Sequence, residues 1–336
     1  MRGRSGWRIV QMNRFQRALA CCAFALLPFN APCAGVLTGA AQETSFRGVT
    51  PGTIEINFPA DFKRVAVISD VHGMYKPLLN LLRNGKLIDR SNNWTGGKTL
   101  LIVTGDSMNK GPDSVETLNL WINLAWQAPQ SGGRVIHLLG NHEAEFLADP
   151  KGSAKAEDLR SELKAKGIRL RDYSQPGYPQ SDFLRSMPVA ARVGKWLFCH
   201  SGLLPDNTWA HFTAKSAEVI QAGDYGGKFL AGGNSILQDE TWWKDGAGRA
   251  DLEVRLSSNG LFGVVFGHQN KALGAEGRNG ISSDYRLIKI DNGMSPDGGY
   301  SPGSLLIFPR PAELQRAARP SVQTMTSGGA QKPLTP

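Results

Sequence analysis

Residues 64–73 read RVAVISDVHG, a run of small and β-branched apolar residues that stops at Ser69 and delivers Asp70 and His72. Such a near-continuous apolar run suits a strand buried on both faces. Four later stretches repeat the arrangement. Thr99–Thr104 (TLLIVT) leads to Gly105-Asp106, and Arg134–Leu139 (RVIHLL) to Gly140-Asn141-His142-Glu143; Trp196–Cys199 ends at His200, and Val264–Phe266 at Gly267-His268. Helical patterns lie between the runs. Tyr75–Arg83 carries Leu78, Leu79 and Leu82 on one stripe. Val115–Trp126 follows Asp113 with Glu116 three residues on, a capping-box-like start. Strands alternating with helices predict an α/β layered fold. Arg286–Asp291 and Ser304–Phe308 add strands without long helices between them, which fits a mixed central sheet, or two sheets packed together, flanked by helices.

The rest of the chain sets the limits. An apolar share of 41% in 336 residues is that of a globular protein with a sizeable core. The formal charge of +9 sits at the ends: the first 34 residues carry +5 and residues 310–336 a net +3, leaving +1 for residues 35–309. A nearly neutral body gives no basic face, so nucleic acid is not expected as a partner. Basic residues followed by the apolar run Ala18–Leu27 and the small-residue stretch APCAGVLTGAA read as an export signal over residues 1–34, and imply a periplasmic or secreted protein. The run is too short to span a bilayer, so no stable membrane span is expected after cleavage. Met12 is an alternative start. Cys21, Cys22 and Cys33 would leave with the signal; Cys199, inside WLFCH, reads as a buried thiol. Residues 35–61 form a lead-in, 62–310 the main domain with insertions at 150–182 and 206–258, and 311–336 a disordered tail. Trp242 and Trp243 either wall a substrate pocket or form the aromatic core of the second insertion.

Each polar piece has a plain reading when taken singly: a turn, a helix cap, a satisfied histidine. Five strand ends aiming Asp, Asn and His at one sheet edge point instead to a site. A phosphate ester resists attack because its oxygens repel hydroxide; two cations about 3.5–4 Å apart neutralise them and acidify a bridging water. Dications so close need an anionic bridge, and Asp106 is the natural candidate. Asp70 and His72 would complete one metal, and Asn141, His200 and His268 the other. Mixed imidazole and oxygen donors suit Mn, Fe, Zn or Co better than Ca or Mg.

The blocks SDVHG, GDSMNKGPDS, GNHE, FCHSGL and FGH resemble the calcineurin-like metallophosphoesterases, in particular the phosphoprotein-phosphatase branch and its bacterial Shewanella-like members. The likeness runs over about residues 62–310. It implies the same six ligands, makes His142 the proton donor to the leaving oxygen, and implies a phosphomonoesterase acting on a phosphopeptide or small phosphomonoester by direct attack of metal-bound hydroxide. Nucleotide or cyclic-diester hydrolysis on the same site, and a catalytically silent metal-bound module, are the rival readings. Asn109 and Lys110 stand where the branch carries Asp and Arg; Leu139 and Ser201 are further departures. Asn109 is expected to orient His142 without the aspartate's charge, and Lys110, with Asn141, to meet the substrate phosphate without arginine's bidentate fork.

Overall fold

Alternation decides which way each apolar run faces. In Arg64–Ile68, Val65 and Val67 join one core cluster while Ala66 and Ile68 join another. The first cluster is the seam between two sheets; the second lies under the helices. In the computed structural model, which describes residues 52–202, 204, 208–244 and 247–336, the strands in chain order are β1 (Thr53–Ile56), β2 (Arg64–Ile68), β3 (Thr99–Val103), β4 (Arg134–His137), β5 (Ala190–Val193), β6 (Trp196–Cys199), β7 (Gly263–Phe266), β8 (Gly280–Ile281), β9 (Leu287–Lys289), β10 (Ser304–Phe308), β11 (Gln323–Thr326) and β12 (Gln331–Pro333). They form two six-stranded sheets of order β1-β5-β6-β7-β9-β8 and β12-β11-β10-β2-β3-β4. Both are mixed: β2, β3 and β4 run parallel, as do β6 and β7, with antiparallel strands beside them. The expected α/β layered fold is therefore the two-sheet version. The expected export signal and its cysteines lie outside the described residues.

The helices that matter to the site are α1 (Tyr75–Asn84), α2 (Ser114–Gln127), α3 (Asn141–Ala148) and α4 (Glu157–Ala165). The Leu78, Leu79 and Leu82 stripe of α1 is buried as its spacing requires. The start of α2 is capped differently from the sequence expectation. Asp113 precedes the helix, but its side chain makes no cap bond. Glu162 of α4 accepts from the N–H groups of Ser114 and Val115 at 2.7 and 3.1 Å, so a carboxylate from a neighbouring helix answers the orphan donors and the positive helix end.

Two boundary expectations are corrected. The lead-in contains β1, which pairs in parallel with β5. Residues 311–336 are ordered: β11 pairs with β10 and β12 with β11, extending the second sheet. The tail has few apolar residues and no period, yet Leu314, Val322, Met325 and Leu334 are all buried against the sheets. Four anchors spread so thinly leave no pattern in sequence. Burying such side chains is worth about 1.5–3 kcal/mol each. Ending the chain at Arg310 should therefore lower the urea midpoint by the equivalent of at least about 3 kcal/mol; an unchanged midpoint would show the tail to be dispensable.

Candidate metal centre

In-register parallel pairing brings the strand ends level. Ile68 lies opposite Val103, Val103 opposite His137, and in the other sheet Cys199 opposite Phe266. The loops that leave these ends are then tied together. The N–H groups of Asp70, His72 and Gly73 donate to the carbonyls of Gly105, Asp106 and Ser107 at 3.1, 2.9 and 2.8 Å. The His268 N–H donates to Asp70 Oδ2 at 2.9 Å, joining the edges of the two sheets. Asp70, His72, Asp106, Asn109, Lys110 and His268 all adopt positive φ, between 48° and 65°. For residues with a Cβ that region is costly and held only where surroundings enforce it. Gly140 has no alternative, since a Cβ there would meet Asp106 Oδ1 at 2.2 Å.

Asp106 sits at the centre, buried, with its two oxygens turned to different histidines. Oδ2 lies 3.7 Å from His72 Nε2 and 3.8 Å from His142 Nε2. Oδ1 lies 3.4 Å from His200 Nε2 and accepts the His142 N–H at 3.0 Å. Asp70 Oδ1 is 3.9 Å from His72 Nε2, while Asp70 Oδ2 accepts from Ser69 Oγ. Asn141 Oδ1 lies 3.2 Å from His200 Nε2, and the His200 and His268 rings are 4.9 Å apart. Two groups with cation-holding geometry share Asp106: one with His72 and His142, one with His200 and His268.

The donor set fits cations. His72, His142 and His200 each pair Nδ1 with a backbone carbonyl, of Met108, Lys155 and Thr104 respectively, so every Nε2 faces the carboxylates. That is the tautomer a metal needs. Burial holds His72 well below the usual histidine range and His142 down at about 4, and burial reinforced by His200 puts His268 at about 3. Neutral imidazoles with free lone pairs beside carboxylates repel unless positive charge lies between them. Burial also works against a charged His200, but attraction to Asp106 outweighs it and raises this histidine to about 9. Burial opposes the Asp106 charge as well, and His200 with His142 overcomes it, holding Asp106 well below the carboxylate range. Asp70 is raised well above that range by burial and by the nearby Asp291 and Asp106 carboxylates. One proton on His200 thus does part of the neutralising that a cation does fully, and loading would release it.

All six ligand candidates and His142 meet here. Lys110 joins them, its Nζ 3.3 Å from His72 Nε2. Asn109 does not orient His142: its Oδ1 accepts from the N–H groups of Asp158 and Leu159, at 2.8 and 3.3 Å, and caps α4. The Lys155 carbonyl holds His142 instead. Trp242 is core, its ring 5.0 Å from Phe266 and its Nε1 donating to Ser201 O at 2.9 Å. Sequence reading missed the side-chain role of Glu143. Its buried carboxylate accepts from the N–H groups of Asp106, Ser107 and Gly140 at 2.9, 2.8 and 3.0 Å, locking the loop after β3 to the start of α3. A Glu at the third position of a helix was the available signal.

Two groups able to hold cations share one carboxylate on the carboxyl edge of a two-sheet sandwich, the arrangement a metal-dependent phosphoesterase requires. More narrowly, the chain belongs to the calcineurin-like phosphoesterase family, whose profile matches residues 63–287. That family works with two divalent metal ions. Among its relatives, Shewanella-like protein phosphatase 2 of Arabidopsis thaliana is 26% identical over 284 residues, 69% of this chain and 72% of that protein. The symmetrical bis(5'-nucleosyl)-tetraphosphatase of Chromobacterium violaceum is 30% identical over 165 residues, 49% of this chain and 52% of that one. A cold-active protein-tyrosine phosphatase of a psychrophilic Shewanella species shares the fold, with a TM-score of 0.67 over 86% of this chain and 84% of that one, at 22% identity.

Glu143→Leu would strand three buried N–H groups, each costing about 1–3 kcal/mol. Urea unfolding of the metal-free protein should show a loss of about 3 kcal/mol or more; a loss within error would mean that the loop needs no such lock.

Proposed function

We propose that this protein is a phosphomonoesterase of the protein-phosphatase kind, with Asp70, His72 and Asp106 holding one divalent ion and Asp106, Asn141, His200 and His268 the other. The observation that carries the reading is Asp106, whose oxygens face His72 on one side and His200 on the other, at 3.7 and 3.4 Å. When bound, the two ions neutralise the phosphate oxygens and acidify a water for attack. Manganese, iron, zinc or cobalt suits the mixed imidazole and oxygen donors.

The chain's own groups supply the rest. Lys110, partly exposed, holds an ammonium beside His72 where a phosphate oxygen would arrive, attracting it as a point charge. Asn141 turns its amide oxygen toward His200, where it would serve the second ion, and its nitrogen is engaged by Gln238 rather than offered to the phosphate. His142 commits Nδ1 to the Lys155 carbonyl, which leaves Nε2 as the atom that moves a proton to the leaving oxygen. With a carbonyl rather than a carboxylate behind its Nδ1, the His142 cation finds its nearest opposing charge in Asp106.

Coverage does not separate the readings, since phosphatase and tetraphosphatase relatives both align over about two thirds of this chain; a monoester is favoured by the blocks GDSMNKGPDS, GNHE and FCHSGL, which resemble the phosphoprotein-phosphatase branch. The export signal read at the N-terminus supports a periplasmic or secreted setting for this activity. A panel of phosphotyrosine, phosphoserine and phosphothreonine peptides, dinucleoside polyphosphates and cyclic diesters, assayed with manganese, tests the reading. Monoesters should be turned over at least about 10-fold faster than the others, with His142→Ala lowering kcat about 10²–10⁴-fold and Lys110→Ala acting mainly on KM. Preference for a polyphosphate would reassign the substrate. No turnover of any substrate by the metal-loaded protein would mark a silent binding module.

A further inference from the structure

The segment Gln238–Glu240 touches the site without belonging to its donor set. Asn141 Nδ2 donates to Gln238 Oε1 at 3.2 Å, and Gln238 Nε2 donates to Glu145 Oε1 at 3.0 Å. This chain of amides fixes which way Asn141 points: its nitrogen is spent on Gln238, so its oxygen is the atom that faces His200. Two residues on, Glu240 Oε1 lies 3.4 Å from His268 Nε2. The other three imidazoles are fixed through Nδ1 on backbone carbonyls. His268 instead has the exposed Glu240 carboxylate at ion-pair distance from the opposite nitrogen, which leaves Nδ1 for the site.

The segment is itself held by the neighbours of two ligands. Ser201 Oγ and Gln269 Nε2 both donate to the Asp239 carbonyl, at 2.8 and 3.2 Å. Trp242 Nε1 donates to the Ser201 carbonyl, and Trp243 Nε1 to Gln269 Oε1 at 2.5 Å. Gln238–Glu240 is therefore bound to Asn141 and His268 directly, and to the residues that follow His200 and His268. Asp70 and His72 are held by Ser69, Met108, Lys110 and the backbone N–H of His268, and no side chain of the segment reaches either of them.

We propose that Gln238 and Glu240 are positioning residues for one of the two ions only, the one bound by Asn141, His200 and His268; this rests on the two-metal reading above. Gln238 keeps the Asn141 amide from turning its NH₂ toward a cation. Glu240, 3.4 Å from the outward nitrogen of His268, favours the proton on that nitrogen and so makes the inner nitrogen a better donor. Outer partners of this kind are worth about 10–100-fold in metal affinity.

The experiment is a titration of the chelator-stripped full chain with cobalt(II), followed by calorimetry and by the visible absorption of the bound ion. The wild type should bind two ions. Gln238→Leu and Glu240→Ala should each weaken one binding step about 10–100-fold and leave the other unchanged. Glu240→Gln keeps an acceptor for the His268 N–H and should recover part of the loss. Metal-free melting midpoints matching the wild type would exclude misfolding as the cause. Two unchanged steps in both variants, or equal weakening of both steps, would overturn the proposal. A wild type that binds fewer than two ions would instead overturn the metal reading beneath it.

Discussion

Asp106 is the constraint on which the rest of this structure depends. A carboxylate buried to 1% exposure is expensive unless charge and hydrogen bonds answer it. Here the answer comes from both sheets at once. His72 and His142 approach from the side of the second sheet, His200 reaches in from the end of β6, and the His142 N–H closes the remaining direction. None of these groups is near Asp106 in sequence except through strand pairing. The sandwich must therefore bring two sheet edges together before this carboxylate is tolerable, and cations complete what one proton on His200 begins.

The backbone around the site pays for that convergence. Left-handed conformations at Asp70, Asp106 and His268 turn each side chain back over its strand end. They persist because neighbouring loops exchange backbone hydrogen bonds and because Glu143 holds three N–H groups across the gap. The first insertion contributes to the same end. Asn109 caps α4, and Glu162 of α4 caps α2, so the loop between β3 and α2 is clasped on both sides by residues of the insertion. Rigidity at Asp106 thus has sources up to about fifty residues away.

What was readable in sequence follows from this. Apolar runs ending in Asp, Asn or His announce both the strands and the edge where the site lies, because a strand's direction fixes where its next residues go. Which side chains serve as outer partners was not readable. Asn109 stands in the loop before α2 and looks like a partner for His142, yet the fold brings the start of α4 closer, 49 positions along the chain. Gln238 and Glu240 lie in a glycine-rich, aromatic stretch with no periodicity, and their importance arises only where tertiary packing sets them against Asn141 and His268. The tail failed for a related reason: four separated anchors bury well but make no pattern.

Anomalous diffraction from crystals of the manganese-loaded protein tests the central claim most directly. Two scattering peaks about 3.5–4 Å apart, each bonded to a different oxygen of Asp106, are the predicted result. A single peak, or a pair of ions that leaves the Asp106 carboxylate unbound, would contradict the account.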